Sequence, residues 1–301
     1  MMYYNEDTII YFKGKFIKAA EAKANPYDAT LHYGYGVFEG IRSYTFGNEV
    51  KIFKAKEHFD RMKSSCEAMM IPYPYDNDEL IEISYEILKR NHLTDAYIRP
   101  LVTVVPNMHL GKAAASELFI AAWGWGTYLG DNLLHVETSA FRRPNPAAFI
   151  MSAKVTGHYV NSILASQKAK DNGFDEALLL DTEGYVAEGP GANIFIEKND
   201  RLFTPELGSI LPGITRATVF EISEKMGIDV VEKKIKPEEV HGADSAFFCG
   251  TAAEVIGLST LDKIPFKKEW KDSLGSRIQK EYRNLTTGQK KVISTTETIN
   301  N

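Results

Sequence analysis

Cysteine is scarce in this chain: Cys66 and Cys249 are its two copies, far apart in 301 residues. Neither belongs to a CxxC pair or a metal-spaced cluster, which excludes the common redox and zinc motifs. A disulfide between them is possible in principle. The start, Met1-Met2-Tyr3-Tyr4-Asn5-Glu6-Asp7, has no basic region followed by an apolar stretch, so export is not expected. A reducing cytoplasm is then the default setting. No run approaches ~18 consecutive apolar residues, so no membrane span is expected. Basic runs are missing as well. Lys and Arg are interspersed with Asp and Glu at a formal net charge of −5, which leaves no footprint for nucleic acid or an acidic membrane. Internal repeats are absent. What remains is an ordinary globular composition, 44% hydrophobic and 25% charged, at a length that suggests roughly two domains.

Residues 8–18 read as two short strands around a turn at Lys13-Gly14. A helix is predicted from Glu57 to Met70, with Met62, Cys66, Met69 and Met70 on one buried face and Pro72 and Pro74 ending it. A second, from Asp78 to Asn91, takes Asn77 or Asp78 as its cap and buries Leu80, Ile83, Ile87 and Leu88. Strands at 96–105 and 118–125 flank the polar loop 106–116. Gly124, Gly126 and Gly130 then interrupt the pattern. This sets the expected organisation as an N-terminal domain over 1–124, a connection over 125–132 and a C-terminal domain over 133–301. In the second half the pattern predicts a strand at 133–138 and a helix at 159–172. It adds a meander of strands at 177–181, 185–188 and 193–197, and a helix at 215–226 between Pro212-Gly213 and Gly227. Mixed elements without strict βαβ alternation argue for an α+β fold. From about residue 285 the sequence is polar and weakly patterned, as in a loose tail.

Several segments could carry chemistry, and each also has an ordinary structural reading. Lys154 stands among small and apolar residues in Ser152-Ala153-Lys154-Val155-Thr156-Gly157-His158-Tyr159. Enclosure favours the neutral, nucleophilic form of an amine, which a Schiff base to an aldehyde requires. Alternatively this is an exposed lysine in a turn. Pro212-Gly213-Ile214-Thr215-Arg216 opens a helix whose free N–H groups would suit a phosphate, or is a plain helix start. Gly250-Thr251-Ala252-Ala253-Glu254, after the apolar run 246–248, allows close backbone approach to an anion. Glu188, before Gly189-Pro190-Gly191, could pair with a protonated ring nitrogen or be an ordinary acid at a turn. Tyr33, Tyr97, Tyr128 and Arg99 could bind carboxylates, although most of the fifteen tyrosines must be structural.

The order of these segments is more informative than any one of them. Together with Ala29–Gly34, Val37-Phe38-Glu39-Gly40-Ile41-Arg42, Glu57-His58-Phe59-Asp60-Arg61, Tyr97-Ile98-Arg99-Pro100 and Trp125–Gly130, they resemble the class IV aminotransferases. Within that family the resemblance is to the branched-chain amino acid aminotransferases, over about residues 8–285. It implies a smaller N-terminal α+β domain and a larger C-terminal domain with a barrel-like sheet. It further implies pyridoxal 5'-phosphate as cofactor, no metal, and reversible transfer between Leu, Ile or Val and 2-oxoglutarate. Lys154 would carry the cofactor as an internal aldimine and, once released, act as the base. Glu188 would pair with the pyridine nitrogen and Tyr159 with the phenolic oxygen. Arg61, the Ile214 backbone, Thr215 and Thr251 would hold the phosphate. Tyr97 with the Thr251 and Ala252 backbone would hold the substrate α-carboxylate. Arg99, Tyr33 and Tyr128 would receive the distal carboxylate of glutamate, and Phe38 and Trp125 would form apolar walls. The family also implies a homodimer or an assembly of dimers, with Tyr33 or Phe38 reaching into the partner's site. Two segments depart from the pattern. Val155-Thr156-Gly157-His158 leaves His158 as either a satisfied neighbour or a tuning group, and the loop 107–115 matches nothing assignable. The intact Tyr97-Ile98-Arg99 block, with the Tyr33 and Trp125 blocks, favours the branched-chain type over a D-amino acid aminotransferase or an aminodeoxychorismate lyase. The presence of Lys154 and Glu188 argues against a non-catalytic binding protein.

Overall fold

A computed structural model describes residues 3–126, 129 and 132–288. Tyr128, Gly130 and the chain beyond 288 therefore lie outside the described residues. The first half contains β1 (Ile9–Phe12), β2 (Lys15–Lys18), α1 (Ala29–Tyr33), β3 (Gly36–Phe38), β4 (Ile41–Phe46) and β5 (Glu49–Ile52). It continues with α2 (Ala55–Ala68), α3 (Asn77–Arg90), β6 (Ala96–Val104) and β7 (Ser116–Gly124). The strands form a seven-stranded sheet in the order β2-β1-β7-β6-β4-β5, with β3 also paired to β6. Strand alternation splits β6 by face. Ala96, Ile98, Val102 and Val104 join the core with Phe59, Met62 and Cys66 of α2 and Leu80, Ile83 and Ile87 of α3. Tyr97, Arg99 and Leu101 face a cavity on the other side.

The second half contains β8 (Leu134–Arg142), α4 (Tyr159–Asp171), β9 (Glu176–Leu180), β10 (Val186–Glu188), β11 (Asn193–Lys198), β12 (Arg201–Pro205) and α5 (Ile214–Lys225). Then come β13 (Val230–Lys233), α6 (Pro237–His241), β14 (Ser245–Gly250), β15 (Glu254–Leu261), β16 (Ile264–Pro265) and α7 (Leu274–Thr287). Strands β10, β9, β8, β15, β14 and β11 follow one another, and β10 pairs back onto β11, closing a six-stranded barrel. Alternation again assigns the faces. Ile194 and Ile196 of β11 and Ala246 and Phe248 of β14 fill one core. Phe195, Phe247 and Cys249 turn to the other face, against Val219 and Ile222 of α5 and Ile278 and Tyr282 of α7. The fold is α+β with a barrel sheet, as the sequence and its resemblance imply.

The structure corrects some details. Helix α2 stops at Ala68, and Met70 takes a left-handed φ of 56° at 70% exposure, so it leaves the buried face. The cap of α3 is Asp76, whose side chain accepts from the Asp78 and Glu79 N–H groups. The loose tail does not start near 285, because α7 runs to Thr287 with Thr286 buried. Cys66 and Cys249 are both buried and free.

Candidate active site

The lysine segment is fixed from three sides. Ser65 on α2 accepts from the Lys154 N–H at 3.1 Å, and the Phe38 N–H donates to the Lys154 carbonyl at 3.1 Å. The Gly157 N–H donates to the Gly34 carbonyl at 2.9 Å. Gly34 has φ +62°, and a Cβ there would lie 2.6 Å from Gly157 Cα, so glycine is required. Held this way, Lys154 points its amine into a cavity of about 460 Å³ between the two sheets. Lys154 Nζ donates to the Tyr159 hydroxyl at 2.6 Å and lies 4.9 Å from the centre of the Phe38 ring.

Glu188, at the end of β10, is 5% exposed. Arg143 meets its Oε1 at 3.0 Å, the Asn193 amide donates to Oε2 at 3.0 Å, and the Leu211 N–H lies 3.3 Å from both oxygens. Burial pushes the Glu188 carboxyl up, and Arg143 offsets part of that rise. A further cation beside it would therefore be welcome. His158 is buried against the Phe149 ring at 5.1 Å; burial and then Arg143 lower its pKa, so it stays neutral.

Behind Arg61, which lines the cavity, Glu39 is fully buried. It accepts from Arg61 Nε at 2.7 Å, Arg61 Nη2 at 2.8 Å and the His58 ring at 2.7 Å. Arg61 Nη1 donates to the Pro212 carbonyl at 3.0 Å, which brings the guanidinium beside the start of α5. Burial would raise the Glu39 carboxyl, but the cation of Arg61 and the hydrogen bonds overcome it and hold Glu39 ionised.

The substrate side is aromatic. Arg99 lies 4.7 Å from the Phe38 ring centre and 5.3 Å from that of Tyr97, and its Nη2 reaches the Tyr97 hydroxyl at 3.4 Å. Its buried Nε has no hydrogen-bond partner. Trp125 packs edge-on to Tyr97 at 4.6 Å. A Cβ on Gly40 would collide with the Tyr97 hydroxyl, so glycine lets that hydroxyl reach the cavity. Thr251 and Ala252 close the ring of residues from the turn after β14.

The sequence of this chain matches the Amino-transferase class IV family over residues 36–261. The branched-chain-amino-acid aminotransferase of Pseudomonas aeruginosa is 39% identical over 292 residues, covering 95% of each chain. The crystal structure of the branched-chain aminotransferase of Thermoproteus uzoniensis with norvaline superposes with a TM-score of 0.91. It is 35% identical and covers 94% of this chain and 96% of its own. The PLP-form (holo-form) of the branched-chain amino acid aminotransferase from Thermobaculum terrenum gives a TM-score of 0.88 at 30% identity, covering 95% and 96%. This chain belongs to the class IV aminotransferases. Within the family it stands with the branched-chain amino acid aminotransferases.

In this aminotransferase the cavity gathers nearly all of the residues singled out in the sequence: Lys154, Tyr159, Glu188, Arg61, Ile214, Thr215, Thr251, Ala252, Phe38, Tyr97, Arg99 and Trp125. Two are not placed there. Tyr33 is 48% exposed, with its hydroxyl 3.4 Å from the Met108 carbonyl, because α1 turns it outward within a single chain. Tyr128 lies outside the described residues. Phe38 lines its own chain's cavity, edge-on to the Tyr159 ring at 4.8 Å. Sequence reasoning missed Arg143 and Asn193 around Glu188, and the Glu39–His58 pair behind Arg61. A signal existed for the last, since an acid inside Val37-Phe38-Glu39-Gly40-Ile41 must be partnered if that run is buried. For Arg143 there was none.

Proposed function

We propose that the protein transfers the amino group of leucine, isoleucine or valine to 2-oxoglutarate, reversibly, with pyridoxal 5'-phosphate held on Lys154. The observation that carries this reading is Arg99, a half-buried cation among aromatic walls in the cavity that also receives the Lys154 amine. Such a pocket suits an apolar side chain and a carboxylate in turn.

The residues present fit the cofactor. The Lys154 amine suits an aldehyde, and Glu188 suits a pyridinium that would relieve its burial. Arg61 with the Ile214 and Thr215 N–H groups at the start of α5 and the Thr251 hydroxyl suits a phosphate. When bound, pyridoxal phosphate supplies the aldehyde that takes up the amino group and the ring that accepts the electron pair left on Cα. Lys154 Nζ would take the proton from substrate Cα and return it on the far side of the transfer, steadied by the Tyr159 hydroxyl. Glu188, backed by Arg143 and Asn193, would keep the ring nitrogen protonated. The Thr251 and Ala252 backbone with the Tyr97 hydroxyl would orient the α-carboxylate. When the side chain is apolar, Arg99 keeps the rings and the Tyr97 hydroxyl as neighbours.

Exposed Val160, Ile163 and Leu164, spaced along one side of α4, and exposed Leu31 and Leu110 support a homodimer, in which Tyr33 would reach the partner's cavity. Two buried free cysteines suit a cytoplasmic, reducing setting. Borohydride treatment of the cofactor-loaded protein, followed by peptide mapping, tests the anchor. Label should fix on the peptide bearing Lys154, and label on another lysine, or none, would contradict the assignment.

A further inference from the structure

Arg42 leaves β4 two residues beyond Gly40 and ends on groups outside its own sheet. Its Nη2 donates to the Trp125 carbonyl at 2.7 Å and to the Gly126 carbonyl at 2.6 Å. Its Nη1 meets Glu254 Oε1 at 3.1 Å, and the Tyr44 hydroxyl, on the same strand face, donates to that oxygen at 2.7 Å. The Arg42 and Glu254 side chains are 8% and 15% exposed, so little water is at hand to substitute for these bonds. Neither residue lines the cavity. What they hold does line it. Trp125 is one wall, and Glu254 directly follows the Thr251-Ala252-Ala253 turn. Glu254 has a φ of 56°, a left-handed conformation that a side chain of this kind adopts only where its surroundings hold it. The same turn is pressed from below, since a Cβ on Gly250 would lie 2.9 Å from the Gly191 carbonyl.

We infer that Arg42 is a positioning residue for amino-acid binding. By tying the Trp125 and Gly126 carbonyls to the Glu254 carboxylate, it sets the spacing between the aromatic wall and the carboxylate-binding turn. The inference rests on the proposed function for what those two surfaces bind. Only arginine serves here, because three acceptors in different directions need a planar fork, and an ammonium on a flexible stem cannot span them.

The test compares wild type, Arg42→Met, Arg42→Lys and Glu254→Gln in the holoenzyme. It measures kcat and KM for leucine and for glutamate, with pyridoxal phosphate affinity by equilibrium dialysis. Arg42→Met should raise both KM values about tenfold or more, the scale of lost charge-assisted hydrogen bonds, while kcat and cofactor affinity change little. Arg42→Lys should recover only part. Glu254→Gln, which keeps the shape, should raise both KM values together by a smaller factor, and it carries the test if Arg42→Met does not fold. Unchanged KM values, or a loss confined to kcat or to cofactor affinity, would overturn the inference. A wild-type protein that uses neither leucine nor glutamate would instead overturn the proposed function. The same KM comparison on the amino acids it does use would then decide the role of Arg42.

Discussion

In the proposed reaction Arg99 would tolerate leucine in one half and bind glutamate in the other. Its surroundings explain how. The guanidinium lies over aromatic faces and close to the Tyr97 hydroxyl, contacts that remain when no carboxylate is present. Arg99→Met keeps comparable bulk and removes the charge. Glutamate should then lose roughly tenfold to a hundredfold in kcat/KM, since a charge-assisted contact contributes ~1.5–3 kcal/mol, and leucine should lose little. Rates that fall equally for both would mean that Arg99 is structural or serves the α-carboxylate. At this scale much was legible. Lys154, Glu188, Tyr97 and Arg99 stand in segments whose order is diagnostic. Arg143 was not legible, because Arg142-Arg143-Pro144 reads like any basic strand end until β10 brings Glu188 beside it.

Glu39, His58 and Arg61 join elements: the link between β3 and β4, the buried face of α2, and the approach to α5. The fold holds the Glu39 carboxyl well below the usual range because Arg61 and the hydrogen bonds outweigh burial. Burial lowers the His58 pKa, so the ring stays neutral and its Nδ1–H donates to Glu39. Both shifts act in one direction. The unfolded chain takes up protons that the folded chain refuses, at His58 below about pH 6.5 and at Glu39 below about pH 4.3, so stability falls with acidification. Glu39→Gln leaves Arg61 buried without its counter-charge and should cost about 3–5 kcal/mol at neutral pH. The gap from wild type should narrow below the ordinary glutamate range, where the wild type loses its own advantage. Urea unfolding at neutral and acid pH checks this, and equal stability at neutral pH would contradict it.

The elements themselves were unevenly legible. Helix α3 is plain from Leu80, Ile83, Ile87 and Leu88, yet its cap is not, since Asp76, Asn77 and Asp78 are all capping types. Strands β3 and β4 carry no alternation because Val37, Phe38, Ile41, Arg42 and Ser43 are all buried. In α7 the four-residue spacing of Leu274, Ile278 and Tyr282 marks a helix, but its last turn, Leu285-Thr286-Thr287, is polar enough to read with the tail that follows.

In the whole molecule, the site exists because two sheets with separate cores face each other across one cavity. We regard the sheets as two domains joined through residues 125–132. The ties between them were beyond any sequence pattern, since Arg42 and Glu254 stand 212 residues apart. The proposed function requires a pocket built for L-amino acids with branched apolar side chains and for glutamate. Its most direct test is to mix the cofactor-loaded protein with single amino acids and follow the absorption of the bound cofactor. L-leucine, L-isoleucine, L-valine and L-glutamate should each convert that band, while D-alanine and D-glutamate leave it unchanged. Conversion by the D-amino acids with none by L-leucine would contradict the account.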